Sequence, residues 1–168
     1  MNATDGKQEP APLIRNVKES YGERFQDHLL EQYKLYVESS QKISANRITA
    51  GNYLLAINSS LLSVFAIAFS LHITGVWLAV IPCAGFLVSV AWYSVIISYK
   101  NLNTAKFTVI HELEEYLPAA LFAHEWQTCD RGKGKAYTPI THLEKWIPLI
   151  FAALYVVLSV FVVCRHPL

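Results

Sequence analysis

Two neighbouring stretches of the sequence decide the fold. They read YLLAINSSLLSVFAIAFSLHI at residues 53–73 and VWLAVIPCAGFLVSVAWYSVIIS at residues 76–98, and neither contains Asp, Glu, Lys or Arg. A helix rises about 1.5 Å per residue and the hydrocarbon core of a bilayer is about 30 Å thick, so each stretch is long enough to cross it. Only Thr74 and Gly75 separate the two stretches. The pattern therefore predicts a membrane-spanning helical hairpin with a tight turn.

A third uncharged stretch, IPLIFAALYVVLSVFVVC, occupies residues 147–164. It is shorter than the other two, and a buried helix of a soluble domain is the alternative interpretation. Trp146 and Arg165 flank it, as residues at a membrane interface do. Thr141 and Glu144 form a capping box just upstream, which indicates a helix start. We predict an all-α membrane protein with three transmembrane helices and amphipathic cytoplasmic helices.

Composition supports this fold and excludes one class of partner. The chain is 53% apolar and 16% charged, whereas soluble domains are about 25% charged. The net charge is +1, so no overall field attracts nucleic acid. The three cysteines have no metal-ligand spacing and are interpreted as reduced thiols. We therefore expect a lipid bilayer as a partner, and no nucleic acid and no cofactor.

The basic residues predict how the chain is oriented in a bacterial inner membrane. Seven of the 14 Lys and Arg residues precede Gly51, six lie between Lys100 and Lys145, and one is Arg165. Cytoplasmic loops carry the excess of Lys and Arg. The amino terminus and the middle loop are thus predicted to be cytoplasmic, and the tail 165–168 external. Residues 1–20 lack the apolar core of an export signal and are expected to be a disordered arm.

Two cytoplasmic segments show helical spacing of apolar residues. In residues 21–50 the stripe runs along one face, and the opposite face is charged. Gly51 is the only breaker before the first span, so one long helix is expected there. In residues 99–146 a second stripe runs from Leu102 to Leu117, and Pro118 is expected to end that helix. The members of the two stripes are Phe25, Leu29, Tyr33, Tyr36, Val37 and Ile43 in the first, and Leu102, Ala105, Val109, Leu113 and Leu117 in the second.

The motifs that carry chemistry are weak. His111 and Glu115 share a helical face, but the stretch lacks the second histidine of a zinc-protease motif, and a solvated acidic face is the commoner use of such spacing. The loop Gly132–Lys135 resembles a phosphate-binding loop only superficially and is interpreted as a flexible linker. We therefore expect no metal site and no enzymatic activity.

Polar residues inside the first span are more informative. Asn58, Ser59 and Ser63 are spaced so that they can line one helical face. Hydrogen bonding between helices is one interpretation, and the lining of a wet pore is the other. In the second span, Pro82 and Gly85 predict a kink or a close-packing site.

Several motifs carry a resemblance to a known family. They are residues 33–39 (YKLYVES), residues 42–47 (KISANR), Asn58, residues 98–107 (SYKNLNTAKF), residues 109–114 (VIHELE), Leu117-Pro118, Glu125-Trp126, Tyr137, and Thr141 with Glu144. In these residues the chain resembles the RipA-like family of bacterial inner-membrane proteins, described as octameric, over roughly residues 30–155. The resemblance implies a membrane location, a homo-oligomer and a stress-related or adaptive role, and it implies no reaction.

Two functional hypotheses follow. The first is a non-enzymatic homo-oligomeric scaffold assembled through its cytoplasmic helices. The second is a pore-forming or membrane-perturbing effector, gated by a cytoplasmic protein partner in a defence system. The residues predicted to make assembly contacts are Tyr33, Tyr36, Arg47, Asn58, Tyr99, Asn101, Asn103, Lys106, Phe107, Glu112, Glu114, Trp126 and Glu144.

Overall fold

A computed structural model describes residues 11–73, 76–132 and 141–165 of the chain, and in these ranges it contains helices and no strand. A short 3₁₀ helix, Asp130–Gly132, follows the fourth of six α-helices. The α-helices are α1 (Lys18–Tyr21), α2 (Phe25–Ser70), α3 (Val76–Glu114), α4 (Leu121–Thr128), α5 (Thr141–Glu144) and α6 (Trp146–Arg165).

Three of these helices, α2, α3 and α6, are long and apolar enough to cross a membrane. α3 and α6 contain the second and third uncharged stretches in full, and α2 contains the first as far as Ser70. α6 begins at Trp146. Pro148 is tolerated there because it lies in the first turn, where a backbone N–H has no helical acceptor. The predicted all-α fold with three candidate membrane-spanning helices is confirmed.

Each of the two longest helices includes one segment that the sequence analysis predicts to span the membrane and one that it predicts to be cytoplasmic. α2 is 46 residues long and continues through Gly51 without a break. A lone glycine costs a helix only about 1 kcal/mol. α3 contains Pro82 and runs for 39 residues to Glu114. α3 therefore ends three residues before Leu117, where we expected the helix to end because Pro118 follows.

α3 lies between the other two long helices and contacts both α2 and α6. Near one end of the bundle a buried cluster joins all three, through Phe65, Ala68, Leu78 and Val162. Further along, the Trp92 ring is 6.1 Å from that of Phe151.

The apolar stripe predicted to run from Leu102 to Leu117 is only partly confirmed. Leu113 is buried, but Leu102 is 47% exposed and Ala105 is also exposed. The face turned inward instead carries Ile110 and the carboxylate residue Glu114, at 0% and 2% exposure. Hydrophobic spacing alone missed this face because a buried, hydrogen-bonded glutamate counts as polar in such a pattern. The stripe on α2 agrees better, since Leu29 is buried and its other members are partly buried.

Some predictions lie outside the described residues. They concern residues 1–10 of the amino-terminal arm, the Thr74-Gly75 turn, Lys133–Lys135 of the basic loop, Tyr137, and residues 166–168 of the tail. The last residues of the predicted arm, 18–20, belong to α1, whose C-cap residue is Gly22 with φ 96°.

Candidate functional site

A polar node of three side chains joins the three long helices within the predicted membrane region. Asn58 of α2, Ser89 of α3 and Tyr155 of α6 are 0%, 1% and 0% exposed. The Ser89 hydroxyl donates to the side-chain oxygen of Asn58, Oδ1, at 3.0 Å. The Tyr155 hydroxyl donates to the backbone carbonyl oxygen of Asn58 at 2.9 Å. The Asn58 amide nitrogen donates to the Leu54 carbonyl at 2.8 Å. Asn58 therefore links all three helices through its side chain and its backbone.

The node depends on a glycine in α3. The Tyr155 ring lies so close to Gly85 that a Cβ added there would collide with it. The Ser89 hydroxyl is also 2.8 Å from the Gly85 carbonyl oxygen, so its single proton is shared between that oxygen and Asn58 Oδ1. The predicted close-packing site at Gly85 is confirmed.

The chemistry of the node is structural. In hydrocarbon every polar group needs a partner from the protein, and a hydrogen bond between membrane helices contributes about 0.6 kcal/mol on average. The interpretation of Asn58 as a residue that bonds between helices is confirmed by its contact with Ser89.

Asn58, Ser59 and Ser63 do not share one face in the way expected. Asn58 points into the bundle, whereas Ser59 and Ser63 are exposed on the outside of α2. The Ser63 hydroxyl donates to the Ser59 carbonyl oxygen at 3.0 Å. Steps of one and five residues turn a helix by roughly 100° and 140°, which is enough to separate a buried from an exposed position.

A second cluster, the α4 junction, is built around the buried carboxylate of Glu114 at the end of α3. Glu114 Oε1 accepts hydrogen bonds from the Tyr33 hydroxyl at 2.9 Å and from the Phe122 N–H at 2.8 Å. Its Oε2 accepts from the Ala123 N–H at 2.9 Å. Phe122 and Ala123 are in the first turn of α4, whose cap residue, Ala120, has no side-chain acceptor. Glu114 thus caps α4 from another helix and ties α2, α3 and α4 together.

The same contact changes the acidity of Tyr33. Burial, the hydrogen bond to Glu114 and the negative charge of that carboxylate raise the pKa of Tyr33 to about 12. The phenol is therefore a hydrogen-bond donor at neutral pH, not a proton-transfer group.

Lys106 holds α3 against α2 at a level nearer the predicted membrane region than Glu114. Its ammonium donates to the Ser39 hydroxyl at 2.9 Å and lies 4.3 Å from the centre of the Tyr36 ring. On the other side of α3, the Phe107 ring packs edge-on against Phe122 at 5.9 Å. The Lys106 contacts hold α2 and α3 together beyond the predicted membrane boundary, and the Phe107–Phe122 contact holds α4 against α3.

Arg47 and Glu144 form an ion pair of 3.2 Å between α2 and α5, with side chains 20% and 26% exposed. The Glu144 carboxylate therefore faces α2. The Thr141 side chain of the predicted capping box lies outside the described residues. The pair connects the segment before α6 to the first long helix.

The remaining predicted contact residues do not join these clusters. Asn101, Glu112 and Trp126 are exposed, and Tyr99 is partly buried. Asn103 has a buried amide oxygen with no hydrogen-bond partner among the described residues. His111 and Glu115 are not part of any group of three or more potential metal ligands in residues 11–73, 76–132 and 141–165.

Sequence reasoning missed Ser39, Ser89 and Tyr155, which complete the clusters. A signal was available for Ser89, because it follows Gly85 by one helical turn in the second span. Tyr155 is the only residue with a hydroxyl-bearing ring in the third uncharged stretch. Neither signal identifies the partner, because that depends on how the helices pack.

The comparisons with known proteins give one match. The model of the octameric membrane protein family (8xMP) matches residues 30–164, which include both clusters. No curated protein and no solved structure matches the chain.

Proposed function

Because the chain belongs to the octameric membrane protein family, we propose that it acts as a non-enzymatic homo-oligomeric scaffold of the bacterial inner membrane. The observation that carries the proposal is the use of three polar side chains that are buried or partly buried. Asn58, Lys106 and Glu114 all bond to neighbouring helices of the same chain, so they build a rigid subunit. A rigid membrane subunit with partnered polar groups suits assembly.

The proposed assembly uses the cytoplasmic parts of α2 and α3. These parts carry large apolar side chains that a single chain leaves in contact with water, including Leu35 at 66% and Leu102 at 47% exposure. Contacts between copies would bury them. The proposed contact role of the predicted residues, Lys106 and Glu114 among them, is additional to their contacts within one chain.

Orientation and role are further parts of the proposal. The distribution of Lys and Arg supports a cytoplasmic amino terminus and an external carboxyl terminus. The resemblance to the RipA-like family supports a role in stress or adaptation. Neither depends on a reaction.

The test is the native mass of the protein in lipid nanodiscs. We expect eight times the 18.9 kDa of one chain. The double variant Leu35→Glu with Leu102→Glu should shift the mass toward smaller assemblies, because it places charge in the proposed contacts. The matched control is Gln127→Glu, an exposed change on α4 that also adds a negative charge but lies outside the proposed contacts. A monomeric mass for the unaltered protein would refute the proposal.

A membrane-perturbing pore is the second candidate, and it is favoured by the exposed Ser59 and Ser63 hydroxyls in the first span. Asn58 is a poor probe for it because its side chain is enclosed in the bundle. Leakage of a dye from liposomes that Ser63→Leu abolishes would support a pore. Tight liposomes, with and without cytoplasmic extract as a source of the gating partner, would count against it.

A further inference from the structure

One face of α2 differs from the other surfaces of the bundle. We define the α2 seam as six small or polar residues that follow one another in steps of three and four: Asn52, Ala56, Ser59, Ser63, Ala66 and Ser70. All six are exposed. Most of the exposed residues of α6 are instead large and apolar, such as Ile150 at 65% and Val157 at 63%. Acyl chains suit the surface of α6, whereas small side chains allow close approach of another helix.

A groove lies elsewhere on the same subunit, between α3 and α6. It has a volume of about 380 Å³, and α2 contributes no residue to it. We call it the α3/α6 groove, and its lining residues are Cys83, Phe86, Leu87, Val156, Ser159 and Val160. Phe86, Leu87, Val156 and Val160 are 39 to 67% exposed, so within one chain the groove is open.

Symmetry requires two different contact faces on each subunit. Copies inserted in one orientation cannot be related by a twofold axis in the membrane plane, so a closed assembly of eight must be a ring about the membrane normal. Neighbours in such a ring meet through unlike faces. The α2 seam and the α3/α6 groove are two such faces.

The two faces lie at the same depth in the membrane. The polar node marks a common level, because it joins Asn58, Ser89 and Tyr155. Ser63 follows Asn58 by five residues, so it lies about 7.5 Å from that level. Cys83 precedes Ser89 by six residues, so it lies about 9 Å from that level. Because α3 runs antiparallel to α2, the two residues lie on the same side of the node. Copies in one orientation share this level, so Ser63 of one copy is at the height of Cys83 of the next.

Resting on the proposed homo-oligomer, we propose that the α2 seam of one copy docks in the α3/α6 groove of the next around the ring. The hydroxyls at this level do not oppose an apolar contact. Ser63 already donates to the Ser59 carbonyl, and Ser159 donates to the Tyr155 carbonyl at 2.8 Å. Each brings a satisfied donor to the interface, so docking leaves the protons of these two hydroxyls paired.

The natural cysteine of the groove allows a direct test. In a chain carrying Cys129→Ser and Cys164→Ser, only Cys83 remains. Adding Ser63→Cys and oxidising the protein in membranes with copper phenanthroline should join the two thiols of neighbouring copies with loss of two protons and two electrons to the oxidant. Because every copy carries both cysteines, we expect a ladder of disulfide-linked species rising toward the octamer.

The controls separate this interface from other contacts. Val64→Cys in the same background is the matched control, since Val64 is 51% exposed but lies off the seam. It should give no ladder, and neither should Ser63→Cys combined with Cys83→Ser. Failure of Ser63→Cys to give a ladder, or a ladder that persists without Cys83, would overturn the inference.

A second measurement distinguishes this inference from the proposed function. Ser63→Trp should reduce the octameric mass in nanodiscs, and Val64→Trp should not, because only the first fills the space between seam and groove. An octameric mass with no ladder and no effect of Ser63→Trp would refute the interface and leave the oligomer standing. A monomeric mass for the unaltered chain would refute both.

Discussion

At the residue scale, the stability of the bundle depends on buried polar atoms that are hydrogen-bonded across the helices. Asn58 makes one hydrogen bond to Ser89 in another helix and one to the Leu54 carbonyl in its own. We expect Asn58→Leu to lower the free energy of unfolding in detergent by about 1 kcal/mol, within the range measured for bonds between membrane helices. The fluorescence of the buried Trp92 can follow unfolding. Ser60→Leu, an exposed change two residues from Asn58 on α2, should leave the midpoint unchanged, and an equal loss in both variants would contradict a special role for Asn58.

A second prediction at this scale concerns alkaline pH. The pKa of Tyr33 is raised to about 12, first by burial and then by Glu114, so the folded state holds the phenol proton more tightly than the unfolded state does. The protonated Tyr33 phenol therefore stabilises the folded state fully below pH 10, and this stabilisation is lost as the pH rises through about 12. In a titration followed by tyrosinate absorbance, the component due to Tyr33 should therefore develop near pH 12. That component is identified as the one missing in Tyr33→Phe. In Glu114→Gln that component should move to lower pH but stay above 10, because burial is the larger cause; an unmoved component would show that Glu114 has no part in it.

At the element scale, α4 depends on a cap that comes from α3. Ala120 has no side-chain acceptor, and both oxygens of Glu114 take its place at the N–H groups of Phe122 and Ala123. Glu114→Ala should therefore speed hydrogen exchange at these two amides, by the factor that corresponds to about 1 kcal/mol for a lost cap. Glu112→Ala, an exposed change on the same helix, is the control. Unchanged exchange in Glu114→Ala would show that α4 is held by Phe107 and Phe122 alone.

At the scale of the whole molecule, the predicted orientation can be tested with the native cysteines. Cys164 is exposed near the end of α6, and Cys129 follows α4 on the side predicted to be cytoplasmic. A maleimide that cannot cross membranes should label Cys164 in intact spheroplasts and should label Cys129 only after lysis. Cys164→Ser and Cys129→Ser identify the two signals. Labelling of Cys129 from outside would reverse the orientation.

The sequence by itself determined the number and nature of the long helices. A stretch of uncharged apolar residues long enough for a bilayer predicts a helix by length and composition, which are local properties. It also indicated that Asn58 needs a partner inside the bundle and that Gly85 is a place of close approach, because one is costly in hydrocarbon and the other has no side chain.

Only the tertiary structure decided which residues meet. Ser89 and Tyr155 lie 31 and 97 positions from Asn58 along the chain, and Glu114 caps a helix across a turn. The inward face of α3 and the separation of Asn58 from Ser59 and Ser63 likewise depend on how each helix is rotated against its neighbours. That rotation is set by the packing of all three helices together, so no single helix's pattern of apolar and polar residues contains it.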